Sequence, residues 1–172
     1  MLFPSNVLLR PKDQMPDFDK LTPLTQTDAA RHQLEKAITL FLTEKDFICA
    51  ITLAGAADGI LGSLVKKRGA KTAHDDHKRL LKKHNHGLTD KELNDLHLNL
   101  VRNALKHATE QEGVTKAYAL ETESIYYITR AIDNHIRLEE QVTEIMKAFI
   151  QWVNINRPDL TNPDSEVQII RP

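Results

Sequence analysis

Aromatic residues are scarce in this 172-residue chain, at 5%, and glycine and proline number only six and seven. A β-sandwich or β-barrel needs aromatic and β-branched strands punctuated by frequent turn residues, so this poverty argues against one. The single cysteine, Cys49, excludes an intramolecular disulfide and suits a reducing cytoplasm. The first twenty residues lack a basic start followed by an apolar run, so no secretory signal is read there. Neither sign of charge dominates: 23 lysines and arginines face 24 acidic residues, a formal charge of −1, in a chain that is 41% hydrophobic. That balance describes one folded globular domain rather than a disordered chain.

The near-neutral total hides an asymmetry. Residues 66–87 carry Lys66, Lys67, Arg68, Lys71, Lys78, Arg79, Lys82 and Lys83 against Asp75 and Asp76, a local charge of +6 that leaves −7 on the rest. Such a basic island fits either a solvated connector or an anionic partner. Just before it, residues 47–65 hold one charge, Asp58, and superficially resemble a membrane span. Much of that run is Ala, Gly, Ser and Thr, and a central Asp costs about 2.5 to 3.5 kcal/mol in lipid, so no membrane partner is expected.

Periodicity predicts an all-α fold, an antiparallel helical bundle of four to five helices over residues 25–156 with extended N- and C-terminal segments. Residues 1–24 hold four prolines and should be extended. The first helix should be capped at Thr27 or Asp28 and run to about Glu44, with Ala30, Leu34, Ile38 and Phe41 or Leu42 inward. The second should span about Asp46 to Lys67 and stop at Gly69. A short helix around Asp75 to Lys83 should interrupt the basic connector. The third long helix has the clearest start: Thr89 and Glu92 form a capping box, Leu88 and Leu93 a hydrophobic staple, and it should continue to about Thr109. A fourth helix over about Lys116 to Ile136 and a fifth over about Glu139 to Asn154 complete the bundle, and Pro158 and Pro163 should end it. The segments 5–11 and 165–172 within the extended ends (1–24 and 157–172) are alike, short and β-prone, and either pair as a ribbon, add as a strand to a partner, or stay disordered.

Several side chains stand out against this frame. Gly55 and Gly59 lie four apart in the second helix and would let another helix approach closely, within the bundle or across a homodimer. Asp58, if buried there, needs a hydrogen-bonded or cationic partner. On the third helix Leu93, Leu96, Leu100 and Ala104 should form the apolar face, widened by Leu98, Val101 and Leu105, while Asp95, Asn99, Arg102, Asn103, Lys106 and His107 gather on the opposite arc. Asparagine, arginine and histidine in one stripe suit hydrogen bonding to a specific partner better than simple solvation. Arg130, Asp133, Asn134 and Arg137 make a second polar stripe, either surface or the far wall of the same cleft. His74 and His77 share a helical face and could hold zinc or nickel, though no cysteine or glutamate framework supports them.

The run Arg102-Asn103-Ala104-Leu105-Lys106-His107 resembles the motif of HEPN domains, small all-helical bundles found in prokaryotic toxin, defence and RNA-processing proteins. The resemblance covers residues 27–155 by architecture and 102–107 by motif. It implies a metal-independent endoribonuclease without cofactor, whose paired motifs meet at the cleft of a cytoplasmic homodimer, with RNA as substrate and a protein antitoxin as partner. Under it His107 transfers a proton, Arg102 stabilises charge developing on phosphorus, and Asn103 orients them. The two polar stripes and the buried carboxylate, read by themselves, offer Asn99, Lys106, Asp58, Arg130 and Asn134 as ligand-binding residues. The same string is similar to the asparagine box of histidine-kinase-type ATPases, but that fold needs a downstream glycine-rich box and a mixed sheet, which this sequence lacks. Two other readings stand beside the ribonuclease. One is a non-catalytic homodimeric binding or regulatory module. The other is a metal-dependent phosphohydrolase built on His74-Asp75, for which His32 and Asp133 are further ligands to hand.

Overall fold

A computed structural model describes residues 22–84, 87–94, 98–106, 117–139 and 141–161. The expected pairing of segments 5–11 and 165–172 lies outside them, as do Leu96, His107 and the stretch to Thr109. All regular structure among the described residues is helical, in eight α-helical segments rather than four to five. They are α1 (Gln26–Thr39), α2 (Phe47–Lys67), α3 (Ala73–His84), α4 (Asp90–Leu93), α5 (Leu100–Lys106), α6 (Leu120–Glu139), α7 (Glu144–Asn156) and α8 (Pro158–Thr161).

Local chemistry explains where these helices start. The Thr25 hydroxyl accepts the Asp28 amide at 3.0 Å and donates to the Asp28 carboxylate at 2.6 Å, so α1 begins earlier than Thr27. Asp46 accepts the Cys49 amide to open α2, and the capping box of Thr89 and Glu92 opens α4 as its spacing predicts. Pro158 does not end the helical region but starts the short α8, a position where the missing N–H costs nothing.

α2 is the central helix and packs along α1 and α6. By length and composition it is apolar enough to cross a membrane; in the fold Ala50, Ile51, Ala54, Ala57, Leu61 and Val65 are buried in the core with Ala30, Leu34 and Ile38 of α1 and Ile128, Ala131 and Ile132 of α6. Phe41 anchors the far end. α1 widens there into a π-helical turn, Leu40–Glu44, which carries Phe41 to the edges of Phe149 and Trp152, ring centroids 5.3 and 4.9 Å away. Lys45 closes that turn in the left-handed region, φ 57°, and its ammonium lies 4.9 Å from the Trp152 ring centroid. The strain of a non-glycine there is about 1 to 2 kcal/mol, and the cation–π contact offsets part of it.

The third long helix expected from Thr89 to Thr109 is interrupted. The Asn99 amide bonds to the Asn94 carbonyl five residues back, a π-type turn, before α5 continues. The wider turn resets the helical phase, so Leu98 and Val101, expected at the margin of the apolar face, are buried and Leu105 packs on the core as expected, while Leu100 and Ala104, expected at its centre, are only half-buried. The same reset swings Arg102 from the expected outer arc onto α2. The basic connector carries the expected short helix as α3 and is docked on α6. Arg68 donates to the Leu138 carbonyl, and Arg137 bonds the Lys71 carbonyl and pairs with Asp76.

Burial pushes the imidazole pKa values of His74, His77 and His135 below the ordinary histidine range. Each is neutral in the fold while its unfolded counterpart protonates near pH 6.5, so their stabilising effect is complete above that pH and is lost as pH falls below it. Carboxylates held low by arginine or lysine, such as Asp76 and Asp90, stay charged in this window. Melting temperature should therefore fall by several degrees between about pH 7.5 and 5.5, and His77→Phe should flatten that slope in thermal scans.

Candidate active site

Asp58, midway along α2, is buried with 4% of its surface exposed, and so is Arg130 of α6. One Asp58 oxygen accepts the Arg130 guanidinium and the other accepts the Asn134 amide at 2.9 Å. Arg130 and Asn134 lie four residues apart on α6, so one helical face presents both groups to one carboxylate. Each also reaches a second element. Arg130 donates to the Leu98 carbonyl at 3.2 Å, joined there by the Tyr127 hydroxyl at 2.8 Å. The Asn134 carbonyl accepts the Ala73 amide at the start of α3, at 2.9 Å. Burial raises the Tyr127 pKa to about 12, so its hydroxyl remains a donor throughout the neutral range.

These bonds shape a cleft of about 180 Å³. α2 supplies one wall through Asp58, Gly59, Gly62, Ser63 and Lys66, and α6 contributes Arg130 and Asn134. Asn99 and Arg102 enter from the π-type turn and α5, and Thr72 and His74 from the connector. Of the expected catalytic and ligand-binding residues, Asp58, Asn99, Arg102, Arg130 and Asn134 share one cleft. Asn103 does not line it. One residue on from Arg102 it has turned about 100° around the helix and is exposed. His107 and the side chain of Lys106 lie outside the described residues.

Arg102 explains Gly55 in a way the glycine spacing did not suggest. A β-carbon at Gly55 would stand 2.9 Å from Arg102 Cδ, so the missing side chain makes room for the arginine stem rather than for another helix backbone. Nothing lies within 4 Å of such a carbon at Gly59. Arg102 Nε is buried without a hydrogen-bond partner among the described residues. A buried donor left unmatched costs about 1 to 3 kcal/mol.

Two histidines of the connector make contacts within the protein. His74 Nε2 lies 2.8 Å from Asn94 Oδ1, and the His77 ring stands edge-on to Tyr126 at 6.2 Å. Asp75 accepts the Thr72 amide and hydroxyl, at 3.1 and 2.8 Å, and the Thr72 oxygen accepts the Asp75 amide at 3.1 Å, so Thr72 caps α3. Among the described residues no three His, Cys, Asp or Glu side chains gather as a metal would need. Asp133 and Arg137 pair with each other, and Arg137 serves the connector instead of the cleft. Sequence reasoning missed Ser63, Lys66 and Thr72 as lining residues and saw His74 only as a metal ligand. The capping pattern Thr72 to Asp75 was the available signal that α3 begins at the cleft.

Protein-family models, curated proteins and solved structures contain no match to this chain.

Removing one partner of a buried ion pair leaves the other uncompensated. Asp58→Ala should cost about 3 to 5 kcal/mol in urea unfolding, whereas Lys66→Ala, at an exposed position, should change stability by no more than about 0.5 kcal/mol.

Proposed function

We propose that this chain is a HEPN-like endoribonuclease of the cytoplasm, acting without a metal as a homodimer, with a phosphate of the RNA backbone seated against Arg102. The observation that carries this reading is the Arg102 guanidinium, held over Gly55 at the cleft with a buried, unmatched Nε. Arginine is the side chain best suited to a phosphoryl group, because its planar donors meet two oxygens at once. Asn99 and Ser63 add neutral donors at the same cleft and Lys66 a second cation. The proton transfer assigned to His107 comes from the motif resemblance. A homodimer is favoured by the outward face of α2, where Ile48 is half-exposed and Cys49, Thr52, Gly59 and Ser63 are exposed on an otherwise apolar helix. Gly59 and Ser63 also line the cleft, so a second copy seated on this face would border it.

The full chain, incubated with mixed-sequence single-stranded RNA in EDTA, should cleave it. His107→Ala and Arg102→Ala should each lower the rate by about 100-fold or more with melting temperature nearly unchanged. Gly55→Ala removes no reactive group but displaces Arg102, and should lose activity similarly. No cleavage by the wild type, or variants as active as it, would overturn the reading. Separately, Thr52→Arg should convert the dimer to a monomer in light scattering coupled to gel filtration.

A further inference from the structure

We infer that His74 is the base of this cleft, taking the proton from the ribose 2′-hydroxyl of the bound RNA. The inference rests on the ribonuclease reading above and adds to it a residue that the motif does not contain. Asn94 Oδ1 can only accept a hydrogen bond, so the 2.8 Å contact fixes the proton of His74 on Nε2. Nδ1 is then the unprotonated nitrogen, and it has no hydrogen-bond partner among the described residues, nor is it one of the buried unpartnered atoms. An amide that orients a histidine ring and selects its tautomer is how a general base is held ready.

The charged groups around the ring keep it neutral. Burial and the Arg130 cation of α6 oppose protonation, as does Lys78 on the same helix, while the Asn94 bond and Asp58 of α2 favour it, and the net effect is a lowered pKa. Lys66 and Arg102, further cations, line the same cleft. Asp58 is engaged by Arg130 and Asn134, which leaves His74 as the cleft-lining group able to take up a proton at neutral pH. The step balances without a co-reactant. His74 Nδ1 accepts the 2′-hydroxyl proton, the 2′ oxygen bonds to the adjacent phosphorus, and the bond from phosphorus to the 5′ oxygen breaks. The 5′ oxygen leaves with a proton from solvent, giving a 2′,3′-cyclic phosphate and a 5′-hydroxyl.

The test is the pH dependence of kcat/KM for the full chain on mixed-sequence single-stranded RNA in EDTA. Wild type should show an acid limb with its midpoint below about pH 6.5. His74→Gln, which retains an amide donor toward Asn94, should lower kcat/KM about 100-fold and abolish that limb. Asn94→Asp sets a carboxylate against the ring and should move the limb up by about one pH unit or more, a displacement that a merely structural role would not produce. Cleavage by His74→Gln at the wild-type rate, or an acid limb unmoved by Asn94→Asp, overturns the assignment of His74 and leaves the ribonuclease reading standing. A wild-type chain that cleaves no RNA overturns both.

Discussion

A carboxylate in the middle of an apolar helix is the constraint from which the rest of this fold follows. Asp58 lies among Ala54, Ala57 and Leu61, and burying it alone would cost several kcal/mol, so α2 requires donors at that level. α6 supplies both on one face, through Arg130 and Asn134. Their remaining hydrogen-bonding groups then hold two segments that helix packing alone would leave loose, the π-type turn at Leu98 and the start of α3 at Ala73. Replacing a buried ion pair by apolar groups is often neutral or stabilising, so net stability is a poor account of its presence. What it supplies here is position: Asn99 and Arg102 follow from one of the held segments, and His74 from the other.

How much of this was legible in the sequence depended on how local the cause was. The capping box at Thr89 and Glu92 works within one turn, and its spacing predicted the start of α4. The apolar face of α1 and the span of α2 were legible for the same reason. Asp58 was recognisable as a residue needing a partner, and Arg130 and Asn134 as a stripe, but nothing in the chain joined them across more than seventy residues. That pairing depends on α2 and α6 lying side by side. The interrupted third helix was not legible because a π-type turn costs little and leaves no composition signal. It depends on the Leu98 carbonyl being claimed by Tyr127 and Arg130 from another element. Its consequence was large, since one widened turn moved Arg102 from an outer arc to the cleft and left Asn103 exposed.

Gly55 and the basic connector show opposite errors of scale. The glycine spacing suggested an approach of whole helices, whereas Gly55 makes room for one side chain. The connector suggested a broad cationic surface, and much of its charge is cancelled locally. Lys78 and Lys82 both pair with Asp90, and Arg79 shares Asp76 with Arg137. Long-range attraction between exposed charges is also screened beyond about 8 to 10 Å at physiological salt. A chain with −7 outside the connector is therefore poorly built to draw a polyanion from a distance. Under the proposed function, recognition would instead be short-ranged, through Arg102 and Lys66 at the cleft and the neutral donors beside them. That reading would favour a ligand presenting one phosphate to a pocket of about 180 Å³ over a duplex presenting many along a groove.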